Sequence, residues 1–315
     1  MGQKHRFLFA AILLLCLEAI LCWHKFNHGM GIKINPAYKN RMVECENESG
    51  GQQEPIPESE KTINSGPVKI LPWENDENFI NARTKNGTNV LMGAYRTVLR
   101  DPLPGEEYNV HLAAERLAGM VVKPGEIFSQ NASLGPYTEG RGYRKGPTYM
   151  GTRLTTTVGG GVCKIASTLY NTVVLSDLQV IERHAHSMPV PYVPYGQDAT
   201  VAYGAKDFKF KNNTDAPILI WAQGIDNILY IAFYGIKSPP TVEWNHKILQ
   251  VFEAPRIYRI NPDLPPSEEK VKVEGMDGAV VMSWVTVTDS NGMVFTKRMG
   301  DSYYSPMPYL IEKGK

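Results

Sequence analysis

The chain lacks an excess of either charge: 33 Lys and Arg stand against 32 Asp and Glu, for a net charge of +1 at pH 7. That balance leaves no bulk field to gather nucleic acid or an acidic substrate, and no nucleic-acid partner is expected. Internal repeats are also absent, which argues against repeat architectures. Cysteine is scarce. Only Cys16, Cys22, Cys45 and Cys163 occur in 315 residues, and the first two lie inside an apolar N-terminal segment. A disulfide between Cys45 and Cys163 would tie a polar linker to a glycine-rich turn, so Cys163 is expected as a free thiol. What is present, 43% apolar and 10% aromatic residues, suffices to bury an ordinary globular core.

The N-terminus opens with "MGQKHR", carrying Lys4 and Arg6, and continues as "FLFAAILLLCLEAILCW", 17 residues interrupted only by Glu18. A basic start followed by an apolar run is an export or anchoring signal. No convincing small residues mark a cleavage site, and both Cys16 and Cys22 follow leucine where a lipoprotein signal carries a small residue. The expectation is an uncleaved single-pass anchor in the cell membrane, with the basic end inside the cell and the rest extracytoplasmic. Secretion after signal cleavage is the alternative. "RMVECENESGGQQEPIPESEK" follows, too poor in apolar residues to fold, and reads as a linker.

Further along, "VLMGAYRTVLR" reads as a strand, and "NVHLAAERLAGMVV" as a short helix capped by Asn109 with Leu112, Ala113, Leu117 and Met120 on one side. Glycine, proline and polar residues crowd "KPGEIFSQNASLGPYTEGRGYRKG", a turn-rich loop or a pair of short strands. A helix is predicted over "KIASTLYNTVVLSDL", with Ile165, Leu169, Val173 and Leu175 off the face of Cys163. "QVIERHAHSMPVPYVP" alternates as a strand, setting Glu182, His184 and His186 on one face. "ATVAYGAKDFKFKN" and "APILIWAQGIDNILYIAFYG" supply three more strands, the last two joined at "GIDN". From about Pro239 a proline-rich bridge leads to an all-β module turning at "MDG" and "SNG". The expected fold class is α+β: a mixed or antiparallel sheet with a few short helices, an N-terminal membrane anchor and a small all-β C-terminal module. The expected boundaries are 1–24 for the anchor, 25–67 for the linker, 68–238 for the main domain and 239–315 for the bridge and module.

The chemistry centres on "TVGGGVCKIASTLYN". A thiol attacks as thiolate, and a helix N-terminus stabilises that anion. Gly160 and Gly161, just before Cys163, let the chain turn sharply and offer N–H groups to an oxyanion. Ser167 and Asn171 follow at i+4 and i+8; they read as satisfied packing polars or, with Asp198 and Tyr203, as substrate contacts. A cysteine nucleophile needs a proton carrier, usually histidine. His5, His24 and His28 lie in or beside the N-terminal segment, His111 near a helix start and His246 in the bridge. His184 and His186 remain, with Glu182 as the orienting carboxylate and Asp198 and Asp207 as rival orienters. Two other readings stay open. In one, the glycine turn and the histidines are structural; in the other, the histidines bind zinc with Asp198, Asp207 or Cys163. No cofactor is expected.

Five segments occur in order: "AAERLAGMVVKPGEIFSQN", "LGPYTEGRGY", "GGGVCKIASTLYN", "ERHAHSMPVPYVPYGQDATVAYG" and "DFKFKN". Together they resemble the VanW-like proteins, exported bacterial proteins named for a member of a vancomycin-resistance cluster. The resemblance runs from about Asn109 to Tyr234, and the module from about Lys270 to Tyr309 is similar to the small β domain often appended to cell-wall proteins. The resemblance implies a cell-envelope protein that acts on peptidoglycan stem peptides, as a cysteine-dependent L,D-transpeptidase making 3-3 cross-links or as a carboxypeptidase. It implies Cys163 as the nucleophile, His184 or His186 as the proton shuttle, and the Gly160, Gly161 and Cys163 N–H groups as oxyanion donors. Lys164 stands where the family usually has Gln, and Ala166 where it has a hydroxyl residue; the Lys164 charge would lower the Cys163 pKa. The expectation from another class is a non-catalytic cell-wall binding or scaffold protein, linked to glycopeptide resistance or envelope maintenance.

Overall fold

Two apolar strands joined by a tight turn organise the chain. β9 (Ile218–Ile225) and β10 (Ile228–Gly235) pair antiparallel from Ile225 opposite Ile228, with Asp226 in the left-handed region between them. The computed structural model describes residues 64–99, 104–150 and 153–315, so the expected anchor and nearly all of the expected linker lie outside the described residues. Among those described, no helix is long and apolar enough to cross a membrane.

Around the β9–β10 pair, β1 (Gly66–Pro67), β2 (Val90–Val98) and β3 (Met120–Val122) complete an antiparallel sheet in the order β1, β2, β10, β9, β3. Gly66 and Pro67, assigned to the linker on sequence grounds, pair with Arg96 and Tyr95. One face of the sheet is covered by α1 (Glu77–Asn86) and by Trp73, whose ring packs edge-on against Phe79. The other face is covered by α2 (Glu106–Leu117) and, beyond the five-residue α3 (Gln130–Leu134), by α4 (Cys163–Leu175). Because both faces are covered, Ile218 to Ala222 are all buried, and β9 reads as a continuous apolar run instead of an alternation. α4 is the most deeply set helix. Every residue from Lys164 to Val174 is buried, and its threonine hydroxyls are satisfied within the helix: Thr168 donates to Lys164 O at 2.7 Å and Thr172 to Thr168 O at 2.9 Å.

Smaller sheets complete the main domain: β4 (Ile127–Ser129), β8 (Lys209–Lys211) and β7 (Gln179–Glu182) form one, and the β5 (Lys145–Met150) and β6 (Arg153–Val158) hairpin another. The C-terminal module consists of two three-stranded sheets. β11 (Thr241–Phe252), β14 (Gly278–Thr288) and β15 (Val294–Tyr304) pair antiparallel; β12 (Arg256–Ile260) runs parallel to β16 (Tyr309–Lys313), which pairs with β13 (Glu269–Val273). The architecture is mostly β, in mixed and mainly antiparallel sheets with few helices. Val242, Val285 and Val287 of the module belong to the same apolar core as α4, and Trp244 packs edge-on against Tyr170.

Three local expectations change. Asn109 does not cap α2, which begins at Glu106 after Gly105 (φ 83°); it is buried inside the helix, where its amide donates to Arg144 O and Gly160 O at 2.8 and 2.9 Å. The expected strand through His184 and His186 stops at Glu182, opposite the first residue of β8; beyond it the His184 carbonyl accepts from Thr200 N–H and the His186 N–H donates to the Asp198 carboxylate, so neither group enters a ladder. The start of the expected bridge is instead the 12-residue strand β11.

The glycine run has a steric cause at each position. Gly159 and Gly161 have φ of 81° and 100°, and a Cβ on Gly160 would lie 2.2 Å from the Gly146 carbonyl in β5. Gly160→Ala is expected to destabilise the fold by about 1–3 kcal/mol through overpacking against backbone. Thermal unfolding checks this, and an unchanged midpoint would show that the contact yields freely.

Candidate active site

α4 starts without a side-chain cap, with Val162 at the cap position; the N–H groups of Lys164, Ile165 and Ala166 are taken by the Gly161 and Val162 carbonyls. The Cys163 N–H and Gly161 N–H enter no backbone hydrogen bond among the described residues. Gly160 differs from the expectation: its N–H donates to Thr157 O at 3.1 Å and its carbonyl accepts from Asn109, so it is not a free oxyanion donor. Buried Gln130 props the turn by donating to Val162 O at 3.2 Å.

Cys163 is a free, partly buried thiol whose Sγ lies 3.3 Å from the Thr200 hydroxyl and 3.6 Å from Val201 O. Burial pushes the thiol pKa up, but hydrogen bonding and charge attraction to His186, helped by Thr200, outweigh it and hold the pKa below that of an ordinary thiol. On His186, Nδ1 sits 2.6 Å from Asp198 Oδ2, so Nε2 is the ring nitrogen left for proton exchange with the thiol. Burial disfavours the imidazolium, but Asp198 and Cys163 together raise its pKa to about 9. Asp198 is itself 1% exposed. Burial opposes its charge, yet His186 and Arg183 keep its pKa below the usual range; Arg183 Nη2 donates to Oδ1 at 2.8 Å, and the His186 N–H to Oδ2 at 2.7 Å.

The structure thus brings Cys163, His186 and Asp198 together and leaves two other expected residues aside. His184 Nε2 lies 2.9 Å from Glu182 Oε1, in a half-exposed pair that Lys209 joins at 2.8 Å. Lys209 first, and His184 second, lower the Glu182 pKa to about 2. The carboxylate that orients the histidine beside the thiol is Asp198, one of the rival orienters, not Glu182. Asp207 is engaged elsewhere, accepting from the Asn131 and Phe208 N–H groups at 3.0 and 2.8 Å.

Among the expected substrate contacts, Ser167 and Asn171 are fully buried and stitch the Asp198 loop to α4. Ser167 Oγ donates to Ala199 O at 3.1 Å and accepts from Ala199 N at 2.9 Å, while Asn171 donates to Gln197 O at 2.8 Å. Tyr203 is 56% exposed. Lys164 points away from the thiol, donating to Asn227 O at 3.0 Å, and burial lowers its pKa to about 8. It is not among the groups that shift Cys163. Among the described residues no three His, Cys, Asp or Glu side chains are grouped as metal ligands. Sequence reasoning missed Arg183 and Thr200; the three prolines after Met188 were the signal that this segment loops back instead of extending.

The arrangement coincides with a matched family domain. Residues 105–234 match the family model described as "VanW like protein". These residues belong to the VanW-like family. The chain is 38% identical over 144 residues to the uncharacterized protein YoaR of Bacillus subtilis (strain 168), covering 46% of this chain and 48% of that protein. It is 31% identical over 180 residues to the vancomycin B-type resistance protein VanW of Enterococcus faecalis (strain ATCC 700802 / V583), covering 55% and 62%. The match thus spans about half of the first relative's length and 62% of the second's. Among solved structures, the IgA1 protease G5 domain is 23% identical, covering 25% of this chain and 94% of that one at a TM-score of 0.16. The HP0197-G5 structure is 19% identical, covering 24% and 100% at 0.14. Likenesses at those scores support no conclusion about function.

The VanW-like site has a signed pH dependence. Alkylation of Cys163 by iodoacetamide, read at the peptide level, is expected to begin below the range of an ordinary thiol and to rise again near pH 9, as His186 loses its proton. His186→Gln removes the cation that opposes burial, so the thiol then titrates higher; His184→Gln leaves the profile in place. A shift with His184→Gln and none with His186→Gln would contradict the assignment.

Proposed function

We propose that this protein works in the cell envelope as a cysteine-dependent acyl-transfer enzyme on peptidoglycan stem peptides, held at the membrane by its N-terminal segment. One observation carries the reading: a thiol at an uncapped helix start is paired with an imidazole whose other nitrogen is 2.6 Å from a buried carboxylate. That is the division of labour of a nucleophile, a proton carrier and an orienting acid.

In the proposed reaction the Cys163 thiolate attacks the carbonyl before the terminal D-alanine of a tetrapeptide stem, forming a carbon–sulfur bond. The Cys163 and Gly161 N–H groups, which enter no backbone hydrogen bond among the described residues, would donate to the developing oxyanion. His186, protonated, gives its proton to the departing D-alanine nitrogen as the carbon–nitrogen bond breaks. The side-chain amine of a neighbouring stem then attacks the thioester, His186 takes the amine proton, and the thiolate leaves with a 3-3 cross-link formed. Water as acceptor yields a carboxypeptidase, and a D-amino acid yields exchange.

Muropeptide profiles of cells expressing the wild type or Cys163→Ala test the reading. Wild type is expected to add cross-linked dimers or trimmed stems that Cys163→Ala lacks, and His186→Ala to lower that activity by about 10²–10⁴-fold. Identical profiles from cells that accumulate both proteins would favour the non-catalytic wall-binding reading instead.

A further inference from the structure

His186 and Asp198 sit on one irregular segment between β7 and β8, which forms no strand around them. Much of its support comes from the C-terminal module. The Tyr304 hydroxyl, on β15, is hydrogen-bonded to Asp198 Oδ1 and accepts the Gly196 N–H at 2.8 Å. Its acceptor role is thus taken by Gly196, and its own proton is directed at the carboxylate. Arg183, the other partner of Oδ1, is anchored on the same strand: its Nη1 donates to Ser302 Oγ at 2.9 Å. Ser305 N–H donates to Ser187 O at 2.7 Å, one residue after His186. Tyr304 is 1% exposed and Ser302 3% exposed, so water does not replace these contacts.

We propose that Tyr304 is a positioning residue for Asp198, which makes the C-terminal module part of the active centre and not a separate appendage. The inference rests on the Cys163, His186 and Asp198 assignment above. The two oxygens of Asp198 have four partners: His186 Nδ1 and the His186 N–H on Oδ2, Arg183 and Tyr304 on Oδ1. Without the Tyr304 hydroxyl, Oδ1 keeps Arg183 alone, the carboxylate can rotate, and its charge is less dispersed. The ionisable groups around it are His186, Arg183 and the buried Tyr192 on its own segment, Tyr170 on α4 and Tyr304 on β15. A less compensated carboxylate holds the His186 proton more tightly.

The test is the pH profile of Cys163 alkylation by iodoacetamide in the full-length protein, read by peptide mass to separate it from Cys16, Cys22 and Cys45. In Tyr304→Phe the upper inflection is expected to move up by about half a pH unit or more. In an Asp198→Asn background the same substitution should add no further shift, since the two side chains act as one unit. An unmoved inflection in folded Tyr304→Phe, or an equal shift in both backgrounds, overturns the proposal. A merely structural tyrosine would lower the unfolding midpoint and leave the inflection in place. Should Tyr304→Phe not accumulate, Ser302→Ala tests the same clamp through Arg183, and an unmoved inflection there overturns it. A wild-type profile with one ordinary thiol inflection, unaffected by Asp198→Asn, instead overturns the active-site reading itself.

Discussion

A carboxylate removed from water must find protein partners for its lone pairs or give up its charge. Asp198 keeps its charge, and the groups that satisfy it come from distant parts of the chain. His186 and Arg183 share its loop, and Tyr304 arrives from β15, 106 residues further on. With the Cys163 thiolate included, the cluster holds two negative and two positive groups. Removing one partner of such a buried pair typically costs about 3–5 kcal/mol. The loop conformation, the module's placement and the histidine's orientation therefore stand together.

The thiol is held by a different constraint. α4 is buried along nearly its whole length, so Cys163 is fixed at the end of an element that cannot shift without opening the core. The glycine turn ahead of it is wedged against β5 at Gly160 and against Glu106 at Gly161, where an added Cβ would come within 2.7 Å. Ser167 and Asn171 then bind the Asp198 loop to the same helix. Polar residues on a core helix here link two parts of one site.

Two histidines two residues apart each meet a carboxylate, yet only one pair serves the thiol. Glu182 ends strand β7, with a half-exposed carboxyl shared between Lys209 and His184. Asp198 lies past three prolines, where the chain has turned back onto α4. Exposure separates the two pairs: the His184 side chain is 38% exposed and that of His186 18%, over a carboxylate at 1%. Charge interactions are stronger away from water, and only the inner pair couples to Cys163.

Sequence alone determined what local sterics and periodicity control. The glycines before Cys163 required a tight turn, the apolar pattern after it required a helix, and "GIDN" between two apolar runs required a hairpin; all three are present. The ordered motifs also identified the VanW-like region. Alternation around His184 and His186 misled, because two-residue periodicity cannot register that their backbone groups bond to Thr200 and the Asp198 side chain instead of a neighbouring strand. The partner of His186, the diversion of Lys164 to Asn227 and the reach of Tyr304 into the site were settled only by tertiary structure. Each joins residues far apart in sequence, and such distances follow from which apolar faces pack together, not from any local preference of the chain.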